Sequence, residues 1–165
     1  MGTRHLIMVI YKNEVQLAEY GQYDGYLSGV GTDIIKFLST FDKEVFLSNL
    51  EKNNLKNNDN GNDDPKSAFH ALELTQAGVK FNLVDSTEFG YNSLFCEYGY
   101  ILNMDLDILE VYKGFNRGRL PVGERFYSEQ SQDGGYFGIA NYKNYRFEEI
   151  KLNTEAILAE FNFEE

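Results

Sequence analysis

The chain has 165 residues and carries 15 Lys and Arg against 26 Asp and Glu, a formal net charge of −11. So acidic a chain does not suit a general nucleic-acid binder, which needs clustered cations to meet phosphates. Its 42% hydrophobic and 15% aromatic content, with 12 Tyr, 13 Phe and no Trp, excludes a disordered polymer and favours a sheet-containing fold.

A single cysteine, Cys96, rules out an internal disulfide, and His5 and His70 alone are too few soft ligands for a zinc site. No metal or other cofactor is therefore expected, and a reducing, cytoplasmic setting follows. No apolar run approaches the ~18 residues of a membrane span, and the N-terminus lacks a charged segment followed by an apolar core. The length favours one domain, residues 1–165, able to bury a core without staples.

In chain order, residues 4–20 read as a hairpin, two β-rich runs around Lys12-Asn13-Glu14. Leu6, Ile7, Met8, Val9 and Ile10 form an unbroken apolar run, expected of a central strand covered on both faces. Val15, Leu17 and Glu19 alternate with Gln16, Ala18 and Tyr20, the pattern of a half-buried strand. Next comes Gly21-Gln22-Tyr23-Asp24-Gly25-Tyr26-Leu27-Ser28-Gly29-Val30-Gly31, whose four glycines imply a folded loop that lets other groups approach its backbone.

Thr32 or Asp33 is expected to cap a helix burying Ile34, Ile35, Phe37 and Leu38, and Thr40 or Asp42 to open a second with Val45, Phe46, Leu50 and Leu55. Asn53–Asp64 holds six Asn and three Asp and reads as a flexible surface loop, extending to about residue 66. Its segment Asp59-Asn60-Gly61-Asn62-Asp63-Asp64 invites a calcium reading. Placing Gly61 at loop position six puts Lys56 first and Ser67 twelfth, so both end ligands of an EF-hand fail. Pro65 should introduce a third helix over residues 67–75, ended by Gly78.

Leu94–Asn103 and Ile108–Tyr112 form a second hairpin, residues 114–144 give only short candidate strands near 125–127 and 136–139, and Asn153 or Thr154 caps a last helix with Ile157, Leu158 and Phe161. The order predicts an α+β single domain with a mostly antiparallel sheet and helices packed on it.

The chemistry centres on the glycine-rich loop. Its backbone N–H groups, with the following helix N-terminus, can cradle an anion; equally, the glycines can make room for Tyr20, Tyr23 and Tyr26 to pack. Arg4 begins an apolar strand, where a charge needs either an anion or a salt bridge to Asp24 or Glu97. Between Lys113 and Arg146 lie six cations and three acids, a local positive bias that includes Arg117 and Arg119. Cys96 reads as a small core hydrophobe. The candidate ligand- or partner-binding residues are Arg4, Tyr20, Gln22, Tyr23, Asp24, Gly25, Tyr26, Arg117 and Arg119; no catalytic residue or metal ligand is assigned.

Gly2-Thr3-Arg4-His5-Leu6, Tyr20-Gly21-Gln22-Tyr23-Asp24-Gly25-Tyr26 and Phe95-Cys96-Glu97-Tyr98 together resemble an uncharacterised family spread through phages, bacteria and fungi, over residues 2 to about 113. Tyr23 and Tyr98 stand where that family usually has tryptophan. A slighter likeness is to N-terminal nucleophile hydrolases of the bile-salt-hydrolase kind, in the placing of Arg4 and Asp24. Gly2 here occupies the nucleophile's position, and Thr3 could serve only after removal of two residues.

The expected function is that of a small acidic binding protein. Its concrete form is a phage-encoded, anti-CRISPR-like inhibitor in the host cytoplasm that docks on a basic nucleic-acid-handling enzyme without contacting nucleic acid itself. The alternatives are a protein that holds a nucleotide or other small anion in the glycine-rich loop, and the N-terminal hydrolase fold without its nucleophile.

Overall fold

The computed structural model describes residues 2–58, 63–128 and 133–163. Strands β1 (His5–Tyr11) and β2 (Glu14–Gly21) form the expected hairpin. Its two-residue turn holds Lys12 and Asn13 both at positive φ, 54° and 58°, the geometry whose twist suits a tight hairpin. Both turn amides donate to the Asp105 carboxylate at 2.8 Å.

A π-helical turn (Leu27–Gly31) leads directly into α1 (Thr32–Thr40), followed by α2 (Lys43–Lys52) and α3 (Ala68–Ala77). This helical crossover returns the chain to β3 (Tyr98–Asn103), which lies parallel to β1; β4 (Ile108–Lys113) and β5 (Ala140–Arg146) add on antiparallel. Helices α4 (Phe147–Leu152) and α5 (Thr154–Phe163) follow. The five-stranded sheet runs β2-β1-β3-β4-β5, mixed with one parallel pair, and the fold is α+β.

The uninterrupted apolar run of β1 is explained by cover on both faces. Ile7 and Val9 point into a core with Tyr100, Leu102, Val111 and the helical residues Ile34, Ile35, Leu38, Phe46 and Ile150. Leu6, Met8 and Ile10 point the other way, onto Ile101, Tyr112, Cys96, Leu120, Phe126 and Ile139. Among the described residues the second layer contains little regular structure, being built from residues 87–97, 114–128 and 133–139.

Several expectations need correction. Neither Thr32 nor Asp33 caps α1 with its side chain, because Gly31 is already helical (φ −55°, ψ −45°) and the chain enters α1 without a break. Asp42 does cap α2, accepting from Val45 N at 3.1 Å. Ser67, not Pro65, opens α3 by accepting from His70 N at 3.0 Å, and Gly78 closes it at φ 74°.

β3 starts at Tyr98 and not at Leu94, since the Asn92 carboxamide accepts from Leu94 N and its carbonyl from Cys96 N, winding residues 92–96 into a turn. No strand forms at 125–127 or 136–139; the fifth strand lies beyond them at Ala140–Arg146. Asn53 and Asn54 are buried and hydrogen-bonded, to Phe81 O and Leu50 O respectively, in contrast to the solvated loop expected there. Of the segment 59–64, where the calcium reading fails, residues 59–62 lie outside the described residues.

One strand residue gives a pH-dependent stability. Glu19 on β2 is half-buried, one of its oxygens has no hydrogen-bond partner, and burial, with the nearby Asp64 adding, pushes its carboxyl up to about 7. The folded state therefore holds the proton more tightly than the unfolded chain, and stability falls as pH rises from about 4.5 to about 7. Glu19→Gln is expected to raise the stability by about 2 kcal/mol at pH 8, after allowance for solvent reaching the group, and to leave it unchanged at pH 4. Thermal melts of both proteins at the two pH values check this.

Candidate functional site

At one end of the sheet the strand termini form a single row, His5 pairing with Gly21 and Tyr98, Tyr98 with Lys113, and Lys113 with Ala140. The segments 2–4, 22–31, 92–97 and 114–118 therefore converge here. A backbone ladder ties them together: Glu97 N to Arg4 O at 3.0 Å, Gly114 N to Glu97 O at 2.8 Å, Phe115 N to Ser93 O at 2.7 Å.

The glycine-rich loop is rigid. Gly25 N donates to Thr3 O at 3.0 Å, Val30 N to Asp24 O at 2.7 Å, and Gly29 N and Gly31 N to Tyr26 O at 3.0 and 3.1 Å. The buried Tyr100 hydroxyl donates to Gly25 O at 2.6 Å. A Cβ on Gly25 would stand 2.6 Å from Thr3 O, so only glycine admits this approach of two backbones.

The amides of Gly25, Gly29, Val30 and Gly31 are thus spent within the chain, and α1 has no open N-terminus because the π-turn runs into it. What the loop presents outward is side chains. Tyr23 is 69% exposed, and Tyr26, about two-fifths exposed, sets its ring edge to Tyr98 at 6.1 Å. Asp24, at φ 62°, is exposed beside Asp33, whose carboxyl is pushed up by burial and by Asp24 despite Lys36. Tyr20 donates to Gln22 Oε1 and meets Phe89 edge-on.

Arg4 finds Glu97 and not Asp24. Its Nε lies 3.9 Å from Glu97 Oε2, its backbone N donates to the same oxygen at 3.1 Å, and its guanidinium lies over the Phe95 ring at 5.3 Å. His5 is buried, its imidazole held neutral by burial and its Nδ1 within 3.3 Å of Thr3 O. Thr3 itself is only 5% exposed.

Across from Tyr26 stands Phe115, 55% exposed and held at φ 54°, an outlying backbone for a bulky residue. Its ring contacts Tyr136 at 6.1 Å, and Arg117 lies over that tyrosine at 4.4 Å while donating to its hydroxyl at 2.9 Å. Between Tyr26 and Phe115 is a groove of about 420 Å³, completed by Glu97, Tyr98, Lys113 and Gly114. Lys113 also lies 3.8 Å over the Tyr142 ring.

Of the residues expected at the site, Arg4, Gln22, Tyr23, Asp24, Gly25 and Tyr26 gather at this end. Arg117 joins them through Tyr136 and Phe115. Arg119 lies over Phe137 on the coil layer and does not line the groove. The cations between residues 113 and 146 do not form one patch: Arg125 is paired to Glu110 and Lys143 to Glu160. Phe95, Lys113 and Phe115 were missed. The run Lys113-Gly114-Phe115-Asn116-Arg117 carried a signal, an aromatic set between cations and flanked by glycine.

A second polar cluster was also missed. Glu110, on β4, accepts from Arg125 Nε at 2.8 Å and Nη2 at 2.7 Å, from Tyr112 OH at 2.7 Å and from Asn103 Nδ2 at 3.2 Å. Burial alone would push this carboxyl up, but its hydrogen bonds, those of Arg125 foremost, outweigh that and hold it below the usual range. Tyr112 is pushed up by burial and by Glu110, and burial raises the Cys96 thiol well above its ordinary value. With its acceptor sites filled and its tyrosine held protonated, this cluster is a clamp and not a proton shuttle. Among the described residues no three His, Cys, Asp or Glu side chains converge as a metal shell, and no helix is long and apolar enough to cross a membrane.

No family model, curated protein or solved structure matches the chain.

Proposed function

We propose that this chain is a binding protein that docks onto another protein through the end of its sheet. The observation that carries the reading is the set of exposed rings, Tyr23, Tyr26, Phe95 and Phe115, interleaved with Arg4 and Arg117. Aromatics and arginines dominate protein-interface energetics when a rigid frame presents them, and here the backbone hydrogen bonds are spent on that frame.

The partner that best fits is a basic, nucleic-acid-handling enzyme of the kind that phage anti-defence inhibitors occupy. Two features support it: the net charge of −11 and the acidic flank of Asp24 and Asp33 beside the aromatic face, which favour association with a basic surface. The resemblance to a family that includes phage proteins points the same way. A second reading uses the same groove for a nucleotide or other small anion, its ring between Tyr26 and Phe115 and its charge at Lys113; ligand-dependent melting distinguishes it.

The docking proposal is tested by affinity capture from a host lysate, comparing wild type with Tyr26→Ser/Phe95→Ser. A basic protein retained by wild type, lost from the variant and released by added salt is expected. Equal retention by both proteins would refute the face.

A further inference from the structure

At the other end of the sheet, where Ile108 of β4 pairs with Arg146 of β5, a second concavity opens among the α1–α2 corner, the β3–β4 turn and α4. Its floor is Phe41 and Phe147, both buried, with rings perpendicular at 5.7 Å. Its lips are Leu106 and Leu152, 67% and 74% exposed, and its volume is about 570 Å³. Clefts of ~300–1,000 Å³ with an apolar lining and a few polar groups are the form small-molecule sites take.

The charges bordering it are three cations, Lys43, Arg146 and Lys151, and two acids, Asp107 and Glu148. In a chain of net charge −11 this is a concavity biased the opposite way. Lys43 is bound to Asp107 and braces the turn. Lys151 lies over the Phe41 ring at 5.7 Å, so its charge sits directly above the apolar floor. Arg146 is exposed and makes no ion pair among the described residues.

We propose that this groove binds a small organic anion with an apolar body, a carboxylate- or sulfonate-headed molecule. Its hydrocarbon or aromatic part lies on Phe41 and Phe147 between Leu106 and Leu152. Its acid head meets Arg146, whose planar fork matches a carboxylate, and Lys151. The site lies a strand's length from the docking face, and neither proposal depends on the other.

The test titrates 8-anilinonaphthalene-1-sulfonate, an anionic dye with an aromatic body, into wild type, Arg146→Glu/Lys151→Glu, Leu152→Asp and, as a control at an exposed apolar residue outside both grooves, Val84→Ser. All must show the wild-type far-UV circular dichroism. Saturable one-site binding is expected, weakened at least about tenfold by the charge reversal and by Leu152→Asp, unchanged in Val84→Ser, and displaced by decanoate but not by decanol. The proposal is overturned if no saturable dye binding is found, if the charge-reversed protein binds like wild type, or if decanol competes as well as decanoate.

Discussion

Arg125→Met is expected to lower the unfolding free energy by about 3 kcal/mol, the lower end of the cost of removing one partner from a buried ion pair. The argument rests on what remains behind. The Glu110 side chain is only 10% exposed and would keep Tyr112 and Asn103 as donors but lose both guanidinium bonds. Its charge would then be poorly compensated at a largely buried position.

Arg125 also holds down the irregular layer over the second face of the sheet. Next to it Phe126 inserts between Tyr91 and Tyr112, each at 5.3 Å. The sign of the pH dependence follows. In wild type the Glu110 carboxyl is held below its ordinary 4.5, so the stability it contributes is present above about pH 4.5 and lost as pH falls through the folded value. In Arg125→Met the guanidinium's hydrogen bonds and charge no longer offset burial, so less of the stability is tied to the ionised carboxylate and the variant should lose least, relative to wild type, in acid. Urea denaturation at pH 7 and pH 4 measures both effects.

Phe115→Gly is expected to separate stability from docking. Holding an L-residue in the left-handed region costs about 1–2 kcal/mol, which glycine does not incur, while glycine's greater unfolded-state freedom takes back about 0.5–1 kcal/mol. The ring is more than half exposed and packs only edgewise on Tyr136, so little burial is lost. Phe115→Gly should therefore melt at or above wild type, and about 1 kcal/mol above Phe115→Ala, which keeps the strain. Both variants should bind the captured partner about 30-fold more weakly, the loss of one aromatic hot spot. A residue held in strain at no benefit to stability is the signature of a position kept for what it touches.

The first hairpin was readable because its signals are local: an apolar run, a polar turn and an alternating return strand. Asp42 as a cap and Gly78 as a stop were legible for the same reason, each acting within one helical turn. β5 was not. Five of its seven residues, Asn141, Tyr142, Lys143, Asn144 and Arg146, are exposed, so it is held by backbone pairing to β4 and carries no apolar period, as suits a charged edge strand. The second layer was equally silent, since Leu120, Phe126 and Ile139 reach the sheet from coil at no fixed spacing.

At the site, the pairing of Arg4 followed from the cost of an unpaired charge in an apolar strand, and Glu97 was one of the two partners considered. The loop's amides are consumed partly by a distant segment, Gly25 N on Thr3 O, and otherwise by the loop's own turns onto Asp24 and Tyr26, whose geometry the glycine spacing alone does not encode. Phe115 was missed because the contact that anchors it, its amide on the Ser93 carbonyl, joins segments distant in sequence.

The central claim, that the convergent loops at the His5–Gly21 end of the sheet are the docking face, is tested most directly by amide hydrogen exchange on the chain alone and in complex with its captured partner. The account predicts new protection in residues 22–26, 93–97 and 113–117, with the α2–α3 side unchanged. Protection confined to α2, α3 or the groove beside α4, with residues 22–26 exchanging as in the free chain, would contradict it.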